Sequence, residues 1–183
     1  MVNSVARVQL ALAALGAGLV HFAIAAGAGL PVALVFALCG AAELAWAGLT
    51  IARPALPFAR VVPAAALVPL AVWAAALLLG SATSQNLPPL PLAIASVFDL
   101  VVAAGSAFAL RRAVTPAPAE DSEVPSHSGS RFTISLVAGA FAVSALVMPA
   151  LGATAAGSAA ANGMHSMHDP GVELNVPDPH AGH

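Results

Sequence analysis

Three ionisable side chains, His21, Glu43 and Asp99, stand inside long apolar stretches of this 183-residue sequence. A charged side chain at the centre of a membrane-spanning helix costs about 2.5–3.5 kcal/mol on insertion scales, so such residues rarely face lipid. Two carboxyl groups close together at low dielectric constant do not both ionise, so one would hold a proton. The three residues predict either a proton, metal or polar-ligand site inside the membrane, or pairs that only lock helix packing.

The helical repeat places each of these residues on the small or polar side of its helix. Small residues suit close helix packing, so we expect the three to share an interior location. At about 1.5 Å per residue, Glu43 and Asp99 fall near the same depth, and His21 falls several ångströms nearer the outer surface. Trp46 and Ser96 stand close by in the sequence. We expect them to donate hydrogen bonds to Glu43 and Asp99.

The end of the sequence, GMHSMHDPGVELNVPDPHAGH, carries a second group of residues that could do chemistry. Thioether sulfur prefers soft Cu(I), whereas imidazole suits Cu(II), zinc and nickel, so a mixture of both favours copper in either oxidation state. Paired cysteines of the kind that hold structural zinc are absent from the sequence. The alternative is a tail whose His and Met residues are incidental, since short His-rich tracts are only compositional hints. The predicted ligands are Met164, His165, Met167, His168, His180 and His183.

The composition is that of a membrane protein. The sequence is 60% hydrophobic and 8% charged, whereas a soluble domain has about 25% charged residues. Its apolar stretches are near the length of about 20 residues that crosses a hydrocarbon core. We expect Pro69 to kink the third stretch. The predicted fold is an all-α integral membrane protein with a four-helix transmembrane bundle, a fifth transmembrane helix and a disordered C-terminal tail. The predicted spans are 5–27, 31–52, 61–80, 92–110 and 132–151.

The connection between the fourth and fifth predicted spans is rich in Pro, Ser, Ala and acidic residues. Such a segment cannot bury a core, so we expect a disordered cytoplasmic linker. The only cysteine, Cys39, excludes an internal disulfide and suits a small buried apolar position. The predicted domains are a four-span bundle at 1–112, the linker at 113–131, the fifth helix at 132–152 and an extracytoplasmic His/Met-rich tail at 153–183.

All six cationic side chains are arginines, and all of them can be placed on one side of a membrane. One lies at the start of the first span, two bracket the loop between the second and third, and three bracket the linker. The positive-inside bias therefore puts the N-terminus in the cytoplasm and the C-terminal tail outside a bacterial plasma membrane. The alternative is that the first span is a cleaved signal peptide. The six residues are Arg7, Arg53, Arg60, Arg111, Arg112 and Arg131.

Three segments carry a resemblance to a known family: LGAGLVHF at 15–22, GAAELAWAGLTIARP at 40–54 and LAIASVFDL at 92–100. They resemble four-span bacterial membrane proteins of the DoxX-like type. The resemblance is to uncharacterised actinobacterial members with a histidine in the first span, a polar residue in the second and an aspartate at the start of the fourth. It covers roughly residues 5–112 and implies a four-helix membrane bundle. The fifth span and the tail depart from that pattern.

These features leave three functional hypotheses open. The first is a membrane accessory protein with a copper-binding extracytoplasmic tail, acting in metal delivery or sensing for a partner. The second is a structural subunit of a larger membrane complex or homo-oligomer, which the small-residue stripes suit. The third is a proton-coupled carrier or small membrane enzyme that acts on a lipophilic substrate at His21, Glu43 and Asp99. The expected surrounding is the lipid bilayer, no nucleic acid is expected as a partner, and no catalytic motif is found.

Overall fold

The computed structural model describes residues 4–78, 87–114 and 129–166. These residues form helices and connecting turns, and no strand occurs among them. In chain order the helices are α1 (Ser4–Gly27), α2 (Leu30–Ala52), α3 (Val62–Ala65), α4 (Val68–Leu78), α5 (Pro89–Val114), α6 (Gly129–Gly152) and α7 (Ala155–Ser166).

Four of these helices, α1, α2, α5 and α6, are long and apolar enough to cross a membrane. Their apolar parts run for 21 to 25 residues, which matches the thickness of a hydrocarbon core at 1.5 Å per residue. The protein therefore has the helices of a membrane-embedded protein.

The third predicted span is not one long helix in the described part of the chain. It consists of α3 and α4, with a break at residues 66–67, and the apolar segment Val62–Leu78 is shorter than the four spanning helices. The break ends two residues before Pro69, which is the second residue of α4. Proline has no N–H for the carbonyl four residues earlier, at Ala65, and its ring clashes with that carbonyl, so the helix cannot continue through this point.

Helix α1 is the centre of the packing, because it contacts α2, α5, α6 and α7. In its most apolar stretch 56% of the residues are buried, compared with 11% in α6. Helices α1 and α2 approach each other closely at Gly18 and Gly40. A Cβ atom added to either glycine would lie within 3.0 Å of the carbonyl oxygen of the other. Small residues at this crossing let the two backbones meet.

Two hydrogen bonds join the ends of helices α1, α2 and α6. Arg7 Nη1 donates to the carbonyl oxygen of Arg53 at 2.8 Å, just after the last residue of α2. Gln9 Nε2 donates to the carbonyl oxygen of Ser135 at 2.6 Å, in the second turn of α6. The start of α1, the end of α2 and the start of α6 therefore lie at the same end of the bundle. We call this the arginine end.

Helix α5 ends at the arginine end as well. Gly105 packs against the side chain of Leu10 near the start of α1, and Arg111 and Arg112 follow in the last turn of α5. The Arg112 guanidinium lies 4.4 Å from the centre of the Phe108 ring. The opposite end of the bundle contains the end of α1 and the start of α7.

Helix α7 corrects one prediction, because residues 155–166 were assigned to a tail without structure. Alanine has the highest helix propensity and dominates this segment, and Thr154 caps it. Thr154 Oγ1 accepts a hydrogen bond from the backbone N–H of Gly157 at 3.1 Å and donates one to the carbonyl oxygen of Leu151 at 2.7 Å. The cap satisfies one of the free N–H groups at the helix start. Ala155 packs against Gly27, which holds α7 on α1.

The linker predicted at 113–131 is shorter than expected at both ends. Helix α5 continues to Val114 and α6 begins at Gly129, so both helices extend into the segment assigned to the linker. Residues 115–128 lie outside the described part of the chain.

Candidate functional site

The structure brings His21, Glu43 and Asp99 together between α1, α2 and α5. The imidazole of His21 lies between the two carboxyl groups. Its Nδ1 is 2.8 Å from Glu43 Oε2, and its Nε2 is 3.8 Å from Asp99 Oδ2. One ligand atom from each residue lies within 4.8 Å of the others. We call these three residues the triad.

Two contacts position the imidazole. The close crossing of Gly18 and Gly40 holds α1 against α2 one turn away from both His21 and Glu43. The ring of Phe36, which is itself buried, packs on the imidazole with 5.5 Å between ring centres. His21 was expected to lie nearer the outer surface than the carboxyl groups. Because helix side chains tilt toward the N-terminus of their helix, the ring of His21 leans toward the depth of Glu43 and reaches it.

The hydrogen bonds expected from Trp46 and Ser96 to the triad are not made. Trp46 Nε1 donates instead to the carbonyl oxygen of Pro57 at 2.9 Å, in the loop after α2. Ser96 Oγ donates to the carbonyl oxygen of Leu92 on its own helix at 2.8 Å. Serine in a helix commonly bonds the carbonyl four residues earlier, and the Trp46 indole is long enough to reach the end of its helix. Both predictions were wrong, since each donor bonds a backbone carbonyl oxygen instead.

The three side chains differ in exposure. His21 is 1% exposed and the side chain of Asp99 is 2% exposed, whereas that of Glu43 is 14% exposed. Asp99 Oδ2 has no hydrogen-bond partner within the described part of the chain. A buried oxygen without a partner carries a desolvation cost of about 1–3 kcal/mol or more. The triad therefore has an unused acceptor at its closed side, on Asp99, and a partly open carboxyl group on Glu43.

Glu43 opens onto a cavity of about 480 Å³ between α2 on one side and α3 and α4 on the other. Its deep wall comes from α1 and α5. Residues on both rims, such as Ala42 on α2 and Ala65 on α3, are exposed on the surface of the bundle. The cavity is thus open along the sides of α2 and α3, and exposed Phe58 and Val61 in the loop after α2 line it as well. In a bilayer this cavity would be reached from the lipid.

A second polar feature lies between the triad and the arginine end. The hydroxyl groups of Thr50 and Ser106 are fully buried and have no hydrogen-bond partner among the described residues. Thr50 is seven residues after Glu43 on α2 and Ser106 is seven after Asp99 on α5, which is about 10 Å or two helical turns. Along the bundle axis, both lie near the depth of residues 8–9 of α1. This follows from the contacts of Gly40 with Gly18 and of Gly105 with Leu10, because α2 and α5 run antiparallel to α1.

The arrangement suits proton exchange better than metal binding. A metal ion would bind one imidazole nitrogen and both carboxylates on the same side of the ring. In the triad, the two nitrogens of His21 face different carboxyl groups, and a hydrogen bond already joins His21 to Glu43. A metal ion bound at His21 Nδ1 would replace this hydrogen bond. An imidazole with a carboxyl group at each nitrogen can accept a proton on one side and release one on the other.

Most of the tail residues predicted as copper ligands lie outside the part of the chain that the structure describes. Met164 and His165 belong to the last turn of α7, and Met167, His168, His180 and His183 lie outside the described residues. The structure thus brings together the three intramembrane residues of the prediction and says nothing about the geometry of the tail set.

Sequence reasoning did not predict where the cavity lies, although Pro69, which was expected to kink a helix, is part of its wall. A proline in an apolar span is a signal for a gap beside it, because the broken helix cannot pack along its full length.

The comparisons with known proteins return no match: no family model, no curated protein and no solved structure matches the chain. The DoxX-like resemblance stays a prediction that rests on the three segments quoted above.

Proposed function

We propose that this protein is a multi-pass membrane carrier that exchanges protons for a lipophilic substrate at His21, Glu43 and Asp99. The observation that supports it is the imidazole of His21 between two buried carboxyl groups, one of which forms part of a cavity wall. Ionisable groups inside a membrane commonly mark proton relays and substrate paths. The triad has groups that can hold a proton, and one of them lines a cavity that can hold a substrate.

The proposal includes the orientation of the protein in a bacterial plasma membrane. The ends of helices that carry Arg7, Arg53, Arg111 and Arg112 meet at the arginine end, and Arg131 is in the first turn of α6, which begins there. The positive-inside bias makes this end cytoplasmic. Helices α3 and α4 would then cross as a broken span that returns the chain to the outside.

In this proposal, protons and substrate reach the triad by different routes. Thr50 and Ser106 carry buried hydroxyl groups without partners, and such groups attract water where there is room for it. They lie between the triad and the arginine end, so they would support proton movement to and from the cytoplasm. The substrate would enter from the lipid, through the cavity beside Glu43.

Proton flux in vesicles tests the proposal. Full-length protein is reconstituted in phosphatidylcholine vesicles that contain a pH-sensitive dye, and three probes are added separately: adamantyltrimethylammonium, 1-adamantanol and adamantane-1-sulfonate. None of them titrates near neutral pH, so any change of internal pH reports exchange by the protein. We expect at least one probe to drive proton flux above that of protein-free vesicles.

Two substitutions on α5 separate function from folding. Asp99→Asn should abolish the flux while the protein stays folded, because the amide cannot take up or release a proton. Ser96→Ala, one turn away on the same helix, should leave the flux unchanged, since its hydroxyl bonds only the Leu92 carbonyl. Wild-type protein that gives no flux with any probe, or Asp99→Asn protein that retains full flux, would overturn the proposal. Loss of folding in Asp99→Asn would instead favour a purely structural triad.

A second candidate function is copper binding by the C-terminal segment, and the position of α7 favours it. Helix α7 starts beside Gly27 at the end opposite the arginines and runs toward Met164 and His165. With the arginine end in the cytoplasm, the His/Met segment would continue from the extracytoplasmic side. Metal delivery to or sensing for a partner would follow from that location.

Metal content tests this second candidate directly. Full-length protein is compared with protein truncated after Ala161 and with a variant in which His165, His168, His180 and His183 are alanine. After exposure to Cu(I) or Cu(II) and removal of free metal, only the full-length wild type should retain copper. Equal copper content in all three proteins would overturn copper binding by the C-terminal segment and would leave the carrier proposal unaffected.

A further inference from the structure

We infer that the substrate of the cavity beside Glu43 is a lipophilic cation of the ammonium class, held by the Glu43 carboxylate with its hydrocarbon body between α2 and α4. This inference rests on the proposed function and names its substrate class. It is carried by the cavity, whose described lining residues include an acid but no base.

The polar groups of the lining select for a cation. Glu43 is its only carboxyl group, and none of the described residues that line the cavity is Arg, Lys or His. The Trp46 N–H is already used by the Pro57 carbonyl, and a cysteine thiol such as that of Cys39 is only a weak donor. An anion would therefore find no cationic side chain among the described lining residues, and the Glu43 carboxylate would repel it. A cation would find a carboxylate in surroundings of low dielectric constant, where the attraction is strong.

The apolar part of the lining selects for a hydrocarbon body. Apart from Glu43 and Cys39, the walls consist of Ala, Leu, Val, Pro, Phe and Trp side chains. Two of them, Trp46 and Phe58, offer aromatic rings, on which an ammonium group gains about 0.5–2 kcal/mol by cation–π attraction. A volume of about 480 Å³ lies within the range of small-molecule sites, about 300–1,000 Å³.

The depth of Glu43 favours a free lipophilic cation over the head group of a membrane lipid. Glu43 stands nine residues before Ala52, the nearer end of α2, which is about 14 Å along the helix axis. A choline or ethanolamine head group is tied to a phosphate at the membrane surface and would have to carry that charge into the interior. A free ammonium ion carries only its own charge.

Binding and proton release balance in this scheme. When the cation enters, the Glu43 carboxylic acid gives its proton to His21, and one proton leaves the triad toward the arginine end. The cation then pairs with the Glu43 carboxylate, so the net charge inside the membrane does not change. No bond other than O–H and N–H is broken or formed.

The two tryptophans and the single cysteine of the chain allow a binding assay that is independent of transport. Trp73→Phe leaves Trp46 in the cavity wall as the only tryptophan. Its fluorescence is titrated in phosphatidylcholine nanodiscs with adamantyltrimethylammonium, 1-adamantanol and adamantane-1-sulfonate, which share one hydrocarbon cage. Protection of Cys39 from N-ethylmaleimide gives a second readout, because this thiol lines the same cavity.

We expect the cation to bind about tenfold or more tightly than the alcohol, with Glu43→Gln removing that difference, since a lost charge pair of 1.4 kcal/mol or more is at least a factor of ten. Ala42→Phe should fill the cavity and weaken binding of the cation in both the fluorescence and the cysteine-protection assay. Ala41→Phe is the matched control, because this exposed neighbour does not line the cavity. Glu43→Asp should keep the preference for the cation if Glu43→Gln fails to fold.

The outcomes separate the substrate class from the proposed function. The inference is overturned if the alcohol or the sulfonate binds as tightly as the cation, or if Ala42→Phe has no effect on binding. In that case, proton flux driven by another probe would still support the proposed carrier function. If the cation binds through Glu43 and no probe drives proton flux, the proposed carrier function is overturned, whereas the proposed cation-binding site is supported.

Discussion

The two sides of α2 are built in opposite ways. Toward α1, Gly40 meets Gly18 so closely that neither backbone has room for a Cβ atom. Toward α3 and α4, the same helix borders a cavity of about 480 Å³. Glu43, one turn after Gly40, stands on the boundary. Its carboxyl group bonds His21 on the closed side and is 14% exposed on the open side.

In the proposed carrier, this difference would place the Glu43 carboxyl group both beside an imidazole and beside a cavity. A carboxyl group wholly enclosed between helices would serve packing alone, and one facing lipid would not stay in the membrane. The tight side fixes the carboxyl group of Glu43 against an imidazole. In the proposed carrier, the open side would let a ligand compete for that carboxyl group. The Pro69 break is what keeps the open side open, because α3 and α4 cannot pack along α2 as one helix.

The strongest test of the tight side removes the imidazole. His21→Phe would leave Glu43 and Asp99 buried without the group that bonds one and lies 3.8 Å from the other. Breaking a buried charged network by removing one partner costs about 3–5 kcal/mol, and we expect a loss of that size in the free energy of unfolding, measured by titrating the reconstituted protein with dodecyl sulfate.

The control for this prediction neutralises the remaining partners. Adding Glu43→Gln and Asp99→Asn to His21→Phe should restore most of the lost stability, because no acid is then left to ionise. A change in His21→Phe within about 0.5 kcal/mol, the size expected of a surface substitution, would show that the imidazole does not hold the triad together.

A smaller effect is expected from the glycine crossing. In Gly40→Val the new Cβ would lie 2.9 Å from the Gly18 carbonyl oxygen and 3.0 Å from the Phe22 ring. Overpacking of this kind costs about 1–3 kcal/mol, and it should also separate His21 from Glu43. Gly48→Val is the matched control on the same helix, since nothing lies within 4 Å of a Cβ at that position. Equal stability of the two variants would argue against a tight crossing.

Much of the helical framework follows from the sequence, because length and hydropathy decide which segments cross a membrane. The four long helices begin and end within a few residues of the predicted spans. The third predicted span fails at Pro69, where the local chemistry of one residue outweighs the apolar composition of the segment. Helix α7 was missed for the opposite reason. Its small residues lack an apolar stripe, but alanine and the Thr154 cap suffice to form a helix on α1.

The site is predictable to a different degree. The helical stripes predicted that His21, Glu43 and Asp99 face a shared interior, and their ligand atoms lie within 4.8 Å in the structure. The sequence could not predict which neighbours bond to them. Trp46 and Ser96 both choose backbone acceptors, and competition among nearby carbonyl groups is settled only by three-dimensional packing.

The smallest expected effect on stability comes from the hydroxyl groups of Thr50 and Ser106. Each is buried without a partner among the described residues, so replacing them by apolar groups of similar shape should be neutral or stabilising by up to about 1 kcal/mol. Proton flux should nevertheless fall in Thr50→Val and Ser106→Ala, because a hydroxyl can hold the water that carries a proton and a methyl group cannot. Thr133→Val is the control, since that hydroxyl is exposed and bonds the Gly129 carbonyl.

In this prediction stability is unchanged or rises while proton flux falls, which distinguishes a role in proton movement from a role in folding. A residue that only supports the fold would lose stability and flux together, whereas a residue on the proton route should lose flux while stability holds or rises. If both variants match the wild type in flux with the probe that drives it, protons must reach the triad by another route. The cavity would then be the first place to look, since it is the other opening beside Glu43 that the described residues form.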